Sequence, residues 1–117
     1  MTILRIGIAS QQEIRKRALD IAAGRRTPSS DDPKVWFESL ESLAKVLSEE
    51  NRAILKTIRE NHPNSVSSLA DLVGRSQGNL SRTLKKMEQF GIVELRKEGR
   101  TTVPVAPYDQ IDMKVYA

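Results

Sequence analysis

The spacing of apolar residues changes at Gly91, and this change limits what the second half of the chain can fold into. Up to Phe90 the apolar residues recur at helical spacing, which predicts a helix over 77–90. Three of them form the stripe that faces the core: Leu80, Leu84 and Met87. From Val93 onwards apolar and charged residues alternate, as on a strand with one buried face. A long helix that leads directly into strands is therefore expected.

The alternation continues through a charged turn and back again. Lys97-Glu98-Gly99-Arg100 predicts a hairpin turn in which Gly99 supplies a positive φ. The returning strand contains Pro104, which has no backbone donor, so this strand is expected at a sheet edge. The sequence therefore predicts a two-stranded hairpin with a charged tip.

Two helices are expected before the long one. The nearer helix is short, begins at Ser67 and ends at Gly74. The other begins at Ser48 and cannot continue as far as Pro63. Its predicted buried face consists of Ala53, Ile54, Leu55 and Ile58.

The N-terminal part of the chain predicts a strand and a further helix. Residues 2–9 are rich in apolar and β-branched side chains, as in a strand. Ser10 followed by Glu13 is a capping signature for a helix over 11–23. Its predicted apolar stripe consists of Ile14, Ala18, Ile21 and Ala22. A short strand is expected over 35–37.

The chain is thereby divided into a strand-helix extension over 1–38, a central domain over 39–109 and a C-terminal strand over 110–117. Ser39 opens the central domain as the cap of another helix. Its predicted apolar stripe consists of Leu40, Leu43, Ala44 and Leu47. Helix, helix, glycine turn, helix and hairpin is the order of a winged helix-turn-helix. The expected fold class is α+β, helix-rich with a small β wing.

The excess positive charge lies in one quarter of the chain. Lys and Arg number 19 against 15 Asp and Glu, a net charge of +4. Residues 75–100 contain seven basic and three acidic side chains, which is the whole of that excess. This window coincides with the long helix and the hairpin. Such a clustered basic surface is expected to face a polyanion.

The long helix begins with small polar side chains and becomes basic further along. Short polar groups let a helix end approach base edges, where Gln or Asn can pair with adenine and Arg with guanine. We therefore expect binding to double-stranded DNA, with the helix over 77–90 in the major groove and the 93–106 wing on the backbone or minor groove. The candidate DNA-binding residues are Arg75, Ser76, Gln77, Asn79, Ser81, Arg82, Lys85, Lys86, Arg96, Lys97 and Arg100.

The stretch SSLADLVGRSQGNLSRTLKKMEQFGIVELRKEGRTTVPVAPYDQI resembles a prokaryotic family of predicted transcriptional regulators with a MarR-like winged helix. The resemblance is most specific over 67–109 and extends upstream through VWFESLESLAKVLSEENRAIL. It implies a homodimeric repressor, and some members are proposed as antitoxins. It implies that DNA is read by Ser76, Gln77, Asn79, Ser81 and Arg82. It also implies backbone contacts from Arg96, Lys97 and Arg100.

A dimer is expected because one winged helix reads few base pairs, whereas two copies on a two-fold axis read a palindrome. The apolar surplus outside the central domain comprises the N-terminal strand, the helix over 11–23 and the C-terminal strand. These elements either extend the wing sheet or pair across the dimer, and we expect them to form the dimer.

Other interpretations stay open at this point. An antitoxin-type interaction module would bind a toxin or another protein partner as well as DNA. RNA binding is less favoured because aromatic residues are only 4% of the chain and none is exposed on the predicted reading helix. Arg82 can contact DNA or form a salt bridge with Glu88 or Asp71.

The composition argues against several functions. Cys is absent, and the single His stands at a helix end, so no metal, no cofactor and no catalytic triad are expected. The protein is therefore not expected to be an enzyme. No apolar run is long enough to cross a membrane and no secretory signal is visible, so a cytoplasmic location is expected.

Overall fold

A computed structural model describes residues 2–116 of the chain. Over this range the fold is α+β, with five helices and two small sheets. The helices are α1 (Gln11–Ala22), α2 (Leu40–Val46), α3 (Glu49–Asn61), α4 (Val66–Val73) and α5 (Gln77–Gln89). The strands are β1 (Ile3–Ile8), β2 (Val35–Phe37), β3 (Glu94–Glu98), β4 (Thr101–Val105) and β5 (Gln110–Val115).

The described residues form two compact units. The sheet unit comprises residues 3–45 and 110–116, and the helical unit comprises Thr2 and residues 46–109. Both ends of the chain therefore contribute to the sheet unit, whereas the helical unit is almost one continuous stretch.

The sheet unit is built on three parallel strands in the order β2-β1-β5. β1 is central, and Leu4, Ile6 and Ile8, which alternate along the strand and share one face, are buried. Gly7 fits here because a Cβ atom would overlap the ring of Trp36 on β2. The C-terminal strand β5 pairs with β1 of its own chain and not with the hairpin.

Helix α1 begins as predicted, because the Ser10 hydroxyl accepts a hydrogen bond of 3.1 Å from the Glu13 N–H. The predicted apolar stripe is wrong. No α1 residue is buried, and three stripe members are exposed: Ala18, Ile21 and Ala22. The helix instead contacts the unit through Arg17, whose guanidinium lies over the Tyr116 ring, 4.1 Å from its centroid. Spacing identifies an apolar face but cannot tell whether the same chain covers it.

Helix α2 follows the predicted cap, since the Ser39 hydroxyl accepts from the Ser42 N–H at 3.1 Å. Its buried residues are Leu43 and Val46. Two members of the predicted stripe, Leu40 and Ala44, are exposed instead. The buried face is therefore rotated from the one that the sequence predicted.

The helical unit packs three helices against the hairpin. Helix α4 contacts α3, α5 and β4, while α5 also contacts β3. All three residues of the predicted α5 stripe are fully buried: Leu80, Leu84 and Met87. The α3 face is confirmed at Ile54, Leu55 and Ile58, but Ala53 is exposed.

Helix α4 begins one residue before the predicted cap. The Ser65 hydroxyl accepts a hydrogen bond of 2.9 Å from the Ser68 N–H, which makes Ser65 the cap and places Ser67 inside the helix. The shift has a packing reason, because Val66, the first helical residue, is buried. A run of several serines offers more than one cap, and burial of Val66 selects Ser65.

The hairpin has a shorter turn than the sequence predicted. Glu98 pairs with Thr101, so the turn itself is Gly99 and Arg100, with Gly99 at φ 64°. Lys97 lies on β3 opposite Thr102. In the described residues the two hairpin strands pair only with each other, so Pro104 does lie on an edge strand.

No helix between residues 2 and 116 is both long and apolar enough to cross a bilayer.

The α5 stripe should dominate the stability of the helical unit. We expect Leu80→Ala to lower the free energy of unfolding by about 2–5 kcal/mol, because it leaves a cavity at a side chain that is 0% exposed. Leu72→Ala on α4 is the matched control, since Leu72 is 52% exposed and should lose less than about 1 kcal/mol. Urea unfolding of both variants measures the difference, and equal losses would contradict this packing.

Candidate nucleic-acid interface

A three-residue turn from Gly74 to Ser76 sets the start of α5. Gly74 has φ 70° and its N–H donates to the Ala70 carbonyl, which ends α4 where a residue with a Cβ atom would be strained. The Ser76 hydroxyl then accepts a hydrogen bond of 3.2 Å from the Asn79 N–H. The first turn of α5 is therefore fixed by its own cap.

Helix α5 presents two polar faces beside its buried stripe. Gln77, Ser81 and Lys85, four positions apart, face the hairpin side. Gly78 and Arg82 lie on the outward face, opposite the buried stripe, and both are exposed. The helix thus carries small and amide side chains at its N-terminal end and basic ones further along.

An open groove of about 610 Å³ lies between α5, the start of α4 and the hairpin. Its lining residues come from all three elements: Ser65, Val66, Ser67, Gln77, Ser81, Leu84, Lys85, Glu88, Leu95, Lys97, Arg100, Thr101 and Thr102. Five candidate residues meet there, namely Gln77, Ser81, Lys85, Lys97 and Arg100. The other six candidates do not line it: Arg75, Ser76, Asn79, Arg82, Lys86 and Arg96.

Most of the basic candidates have no acidic partner. Among residues 2–116 the structure shows no ion pair for five exposed cations: Arg82, Lys85, Lys86, Lys97 and Arg100. The alternative salt bridge of Arg82 with Glu88 or Asp71 is therefore absent from the described residues. These five charges are free to meet an external anion.

Two of the basic candidates are already neutralised within the chain. Arg75 donates to Glu50 on α3 at 2.5 Å. Arg96 donates through Nε and Nη2 to the Glu94 carboxylate at 3.1 and 2.9 Å. Both pairs are partly solvated, so each contributes little stability. An external anion would have to compete with a carboxylate at these two positions.

Ser76 was expected to contact DNA, and the structure gives it a capping role. Its oxygen accepts from the helix backbone, which leaves the hydroxyl proton and one lone pair for an outside partner. Asn79 is exposed, and its backbone N–H is the partner in that cap.

Sequence reasoning missed four hydroxyl side chains that line the groove: Ser65, Ser67, Thr101 and Thr102. Ser67 was predicted only as the start of a helix, and no role was predicted for the other three. The two threonines directly follow the charged turn, and that position was an available signal. Hydroxyls of this kind commonly contact phosphate oxygens.

Among residues 2–116 no three metal-ligating side chains come together. His62 is exposed and ends α3 in a left-handed conformation, and its N–H donates to the Ile58 carbonyl. The single His therefore stands at a helix end, as the sequence predicted.

The cap assignment predicts a stability effect for Ser76. We expect Ser76→Ala to lower the free energy of unfolding by about 1 kcal/mol, because the Asn79 N–H loses its acceptor. Ser67→Ala is the control: Ser67 is exposed within α4, and its side chain caps nothing. Thermal unfolding by circular dichroism compares the two, and a Ser76→Ala variant as stable as Ser67→Ala would contradict the capping role.

A comparison with curated proteins finds no match. A comparison with protein families finds one match, which spans residues 46–113 and therefore includes α3, α4, α5, the hairpin and most of β5. The match covers more than half of the 117 residues. The chain belongs to the HVO_A0114 family.

Proposed function

We propose that the protein is a sequence-specific regulator that binds double-stranded DNA, and that it acts as a dimeric repressor of its own gene. The observation that carries the proposal is the joint position of three unpaired cations, Lys85, Lys97 and Arg100, and the polar start of α5 around one open groove. Two further unpaired cations, Arg82 and Lys86, lie on the exposed surface of the same helix. In this proposal the helical unit is a MarR-like winged helix-turn-helix.

The arrangement of elements supports this assignment. A reading helix needs one face anchored in the core and the opposite face free to enter the major groove. Helix α5 has both, since its stripe is fully buried and Arg82 points outward from it. The hairpin contacts the same helix through β3, as a wing beside a reading helix would.

The charge distribution supports DNA in particular. Lys85, Lys97 and Arg100 approach the groove from the helix and from the hairpin, so one phosphate backbone can be contacted from two sides. Among the described lining residues, Glu88 is the only acid, and it lies near the C-terminal end of α5. We therefore expect the DNA to approach the N-terminal end of α5, where Gln77 and Ser81 can reach base edges.

Gly78 gives an independent argument. A Cβ atom built there would meet nothing within 4 Å, and its φ is not in the left-handed range. Neither packing nor backbone conformation within the chain therefore requires glycine in this first turn. Glycine on an exposed helix costs stability, but it permits close approach of a backbone to a ligand.

A second candidate function rests on one observation. Helix α1 has no buried residue and leaves Leu19 and Ile21 exposed, which is compatible with a protein-interaction module of the antitoxin type. This module would bind its protein partner through the N-terminal segment, with or without DNA.

The proposal is tested by a mobility shift of the full chain on the DNA upstream of its gene. We expect a complex that scrambled DNA does not displace. With three to five phosphate contacts per chain, and therefore six to ten per dimer, the plot of log K against log salt should fall with a slope of roughly −5 to −9. No complex at low salt would contradict the proposal and favour the interaction module.

Arg82 should contribute to binding beyond its charge. We expect Arg82→Ala to weaken specific binding by about 1–3 kcal/mol and to relax sequence preference if it contacts a base. Arg15→Ala is the matched control, because Arg15 is also an exposed helical arginine without an ion pair among residues 2–116. Fluorescence anisotropy on specific and scrambled duplexes separates the cases. Equal losses of DNA affinity for both variants would mean that Arg82 contributes only through its charge.

Gly78→Ala should separate folding from binding. The substitution should raise the free energy of unfolding by up to about 1 kcal/mol, because alanine is the better helix former and meets no neighbour. DNA affinity should fall, because the added methyl group would keep the start of α5 away from the base edges in the major groove of the DNA. Thermal unfolding and anisotropy on the same sample measure both, and unchanged affinity would contradict close approach at this position.

A further inference from the structure

The outer strand of the sheet unit has an open edge. Among residues 2–116, in the order β2-β1-β5, β5 has a partner strand on one side only. Met113 and Val115 are 54% and 58% exposed, although they align with Ile6 and Ile8, which are buried on the same face of the sheet. Natural proteins usually protect such an edge with charged side chains, proline, a bulge or a cover, and β5 carries one charge of each sign, Asp112 and Lys114. Gln110–Val115 contains no proline, and its ladder to β1 is unbroken.

The backbone groups on this edge can be assigned from the ladder. The Tyr116 N–H donates to the Ile8 carbonyl at 2.8 Å, so Tyr116 and every second residue before it direct their backbone groups towards β1. The alternate residues direct their N–H and C=O groups to the open side: Ile111, Met113 and Val115. These three residues form a regular row of donors and acceptors ready for another strand.

We propose that β5 of a second copy pairs antiparallel with this edge, on a two-fold axis through Met113. In this register Met113 faces Met113 of the second copy. Ile111 faces Val115 of the second copy, and Val115 faces Ile111 of the second copy. All three residues are then at hydrogen-bonded positions of the new ladder. Two three-stranded sheets become one continuous six-stranded sheet.

The charges of β5 select this register over its neighbours. With Met113 on the axis, Asp112 of each copy lies opposite Lys114 of the other, which gives two cross-strand pairs of opposite charge. Slipping the second strand by two residues either way places Asp112 opposite Asp112 or Lys114 opposite Lys114. Like charges directly opposite each other destabilise a strand pair. The strand is therefore self-complementary in one register.

The existing contacts of these two side chains leave capacity for the new pairs. The Asp112 carboxylate accepts a hydrogen bond of 2.9 Å from the Gln110 amide, and its second oxygen is available. The Lys114 ammonium donates to the Asp31 carbonyl at 3.1 Å and has two further donors. The apolar face gains as well, because Ile111, Met113 and Val115 acquire neighbours across the seam.

A charge-reversal experiment on the full chain tests the pairing without DNA. We expect the unaltered chain to sediment as a dimer. Asp112→Lys and Lys114→Asp should each raise the dimer dissociation constant about tenfold or more, because each creates two like-charge pairs. Mixing the two variants should restore a dimer, since each reversed charge then meets its opposite. Circular dichroism of each variant checks that it is folded.

Three results of this experiment would contradict the proposed pairing. A monomer at high protein concentration, or a dimer that neither substitution weakens, would overturn the pairing. Weakened single variants that fail to associate on mixing would also overturn it, because the charges would then act within one chain. The result is independent of the proposed DNA binding, which is measured on duplex and not by sedimentation of the free protein.

A cysteine experiment tests the register itself, since the chain contains no cysteine. Under mild oxidation Met113→Cys should form a disulfide-linked dimer, because facing residues lie about 5.5 Å apart between Cα atoms, within disulfide range. Ile111→Cys is the control and should give little cross-linking, since the two copies of that position would lie about 14 Å apart. Equal cross-linking at both positions would overturn the register.

Discussion

The complete burial of one face of α5 is the constraint on which the helical unit depends. The side chains on this face are fully buried where α5 contacts α4 and the hairpin: Leu80, Leu84 and Met87. Their packing fixes α4 and the hairpin beside α5. A helix anchored on one stripe must present the rest of its circumference outward. The position of Arg82 and of the polar first turn follows from that packing, as does the groove between α5 and the hairpin. The candidate interface is therefore a consequence of the core.

Electrostatics then distinguish this surface from an ordinary solvated helix face. Elsewhere among residues 2–116 some exposed cations have a carboxylate near them, as Arg25 has in Asp20 and Lys56 in Glu60, and others such as Arg15 do not. The basic window differs because it carries the whole net charge of +4. Five cations of the basic window lack such a partner among residues 2–116, while Arg75 and Arg96 are neutralised. Concentrated and uncompensated positive charge repels itself, so an external polyanion is the partner that would relieve it. The uncompensated charge therefore supports the DNA proposal and predicts that binding weakens strongly as salt is added.

Local signals in the sequence predicted the helical unit well. The long helix, its stripe, the glycine ends and the hairpin depend on residues close together in the chain, so spacing and turn chemistry were sufficient. The candidate cations were also found from the sequence. The predicted start of α4 was wrong because neighbouring serines compete as caps, and the burial of Val66 selects Ser65. The groove hydroxyls Thr101 and Thr102 were missed because the fold brings them to α5.

The sheet unit could not be predicted to the same extent. The parallel pairing of β5 with β1 joins the two ends of the chain, and alternation alone does not name a partner strand. The prediction of a buried stripe on α1 was wrong for a related reason, since an apolar face need not be covered within one chain.

The most direct measurement of the central claim is an amide NMR titration of the labelled full chain with a DNA duplex. If α5 and the hairpin form the interface, the perturbed amides should cluster from Gln77 to Lys86 and from Arg96 to Thr102. The far side of α3 should change little. Perturbations confined to the sheet unit, or no saturable change at low salt, would contradict the claim.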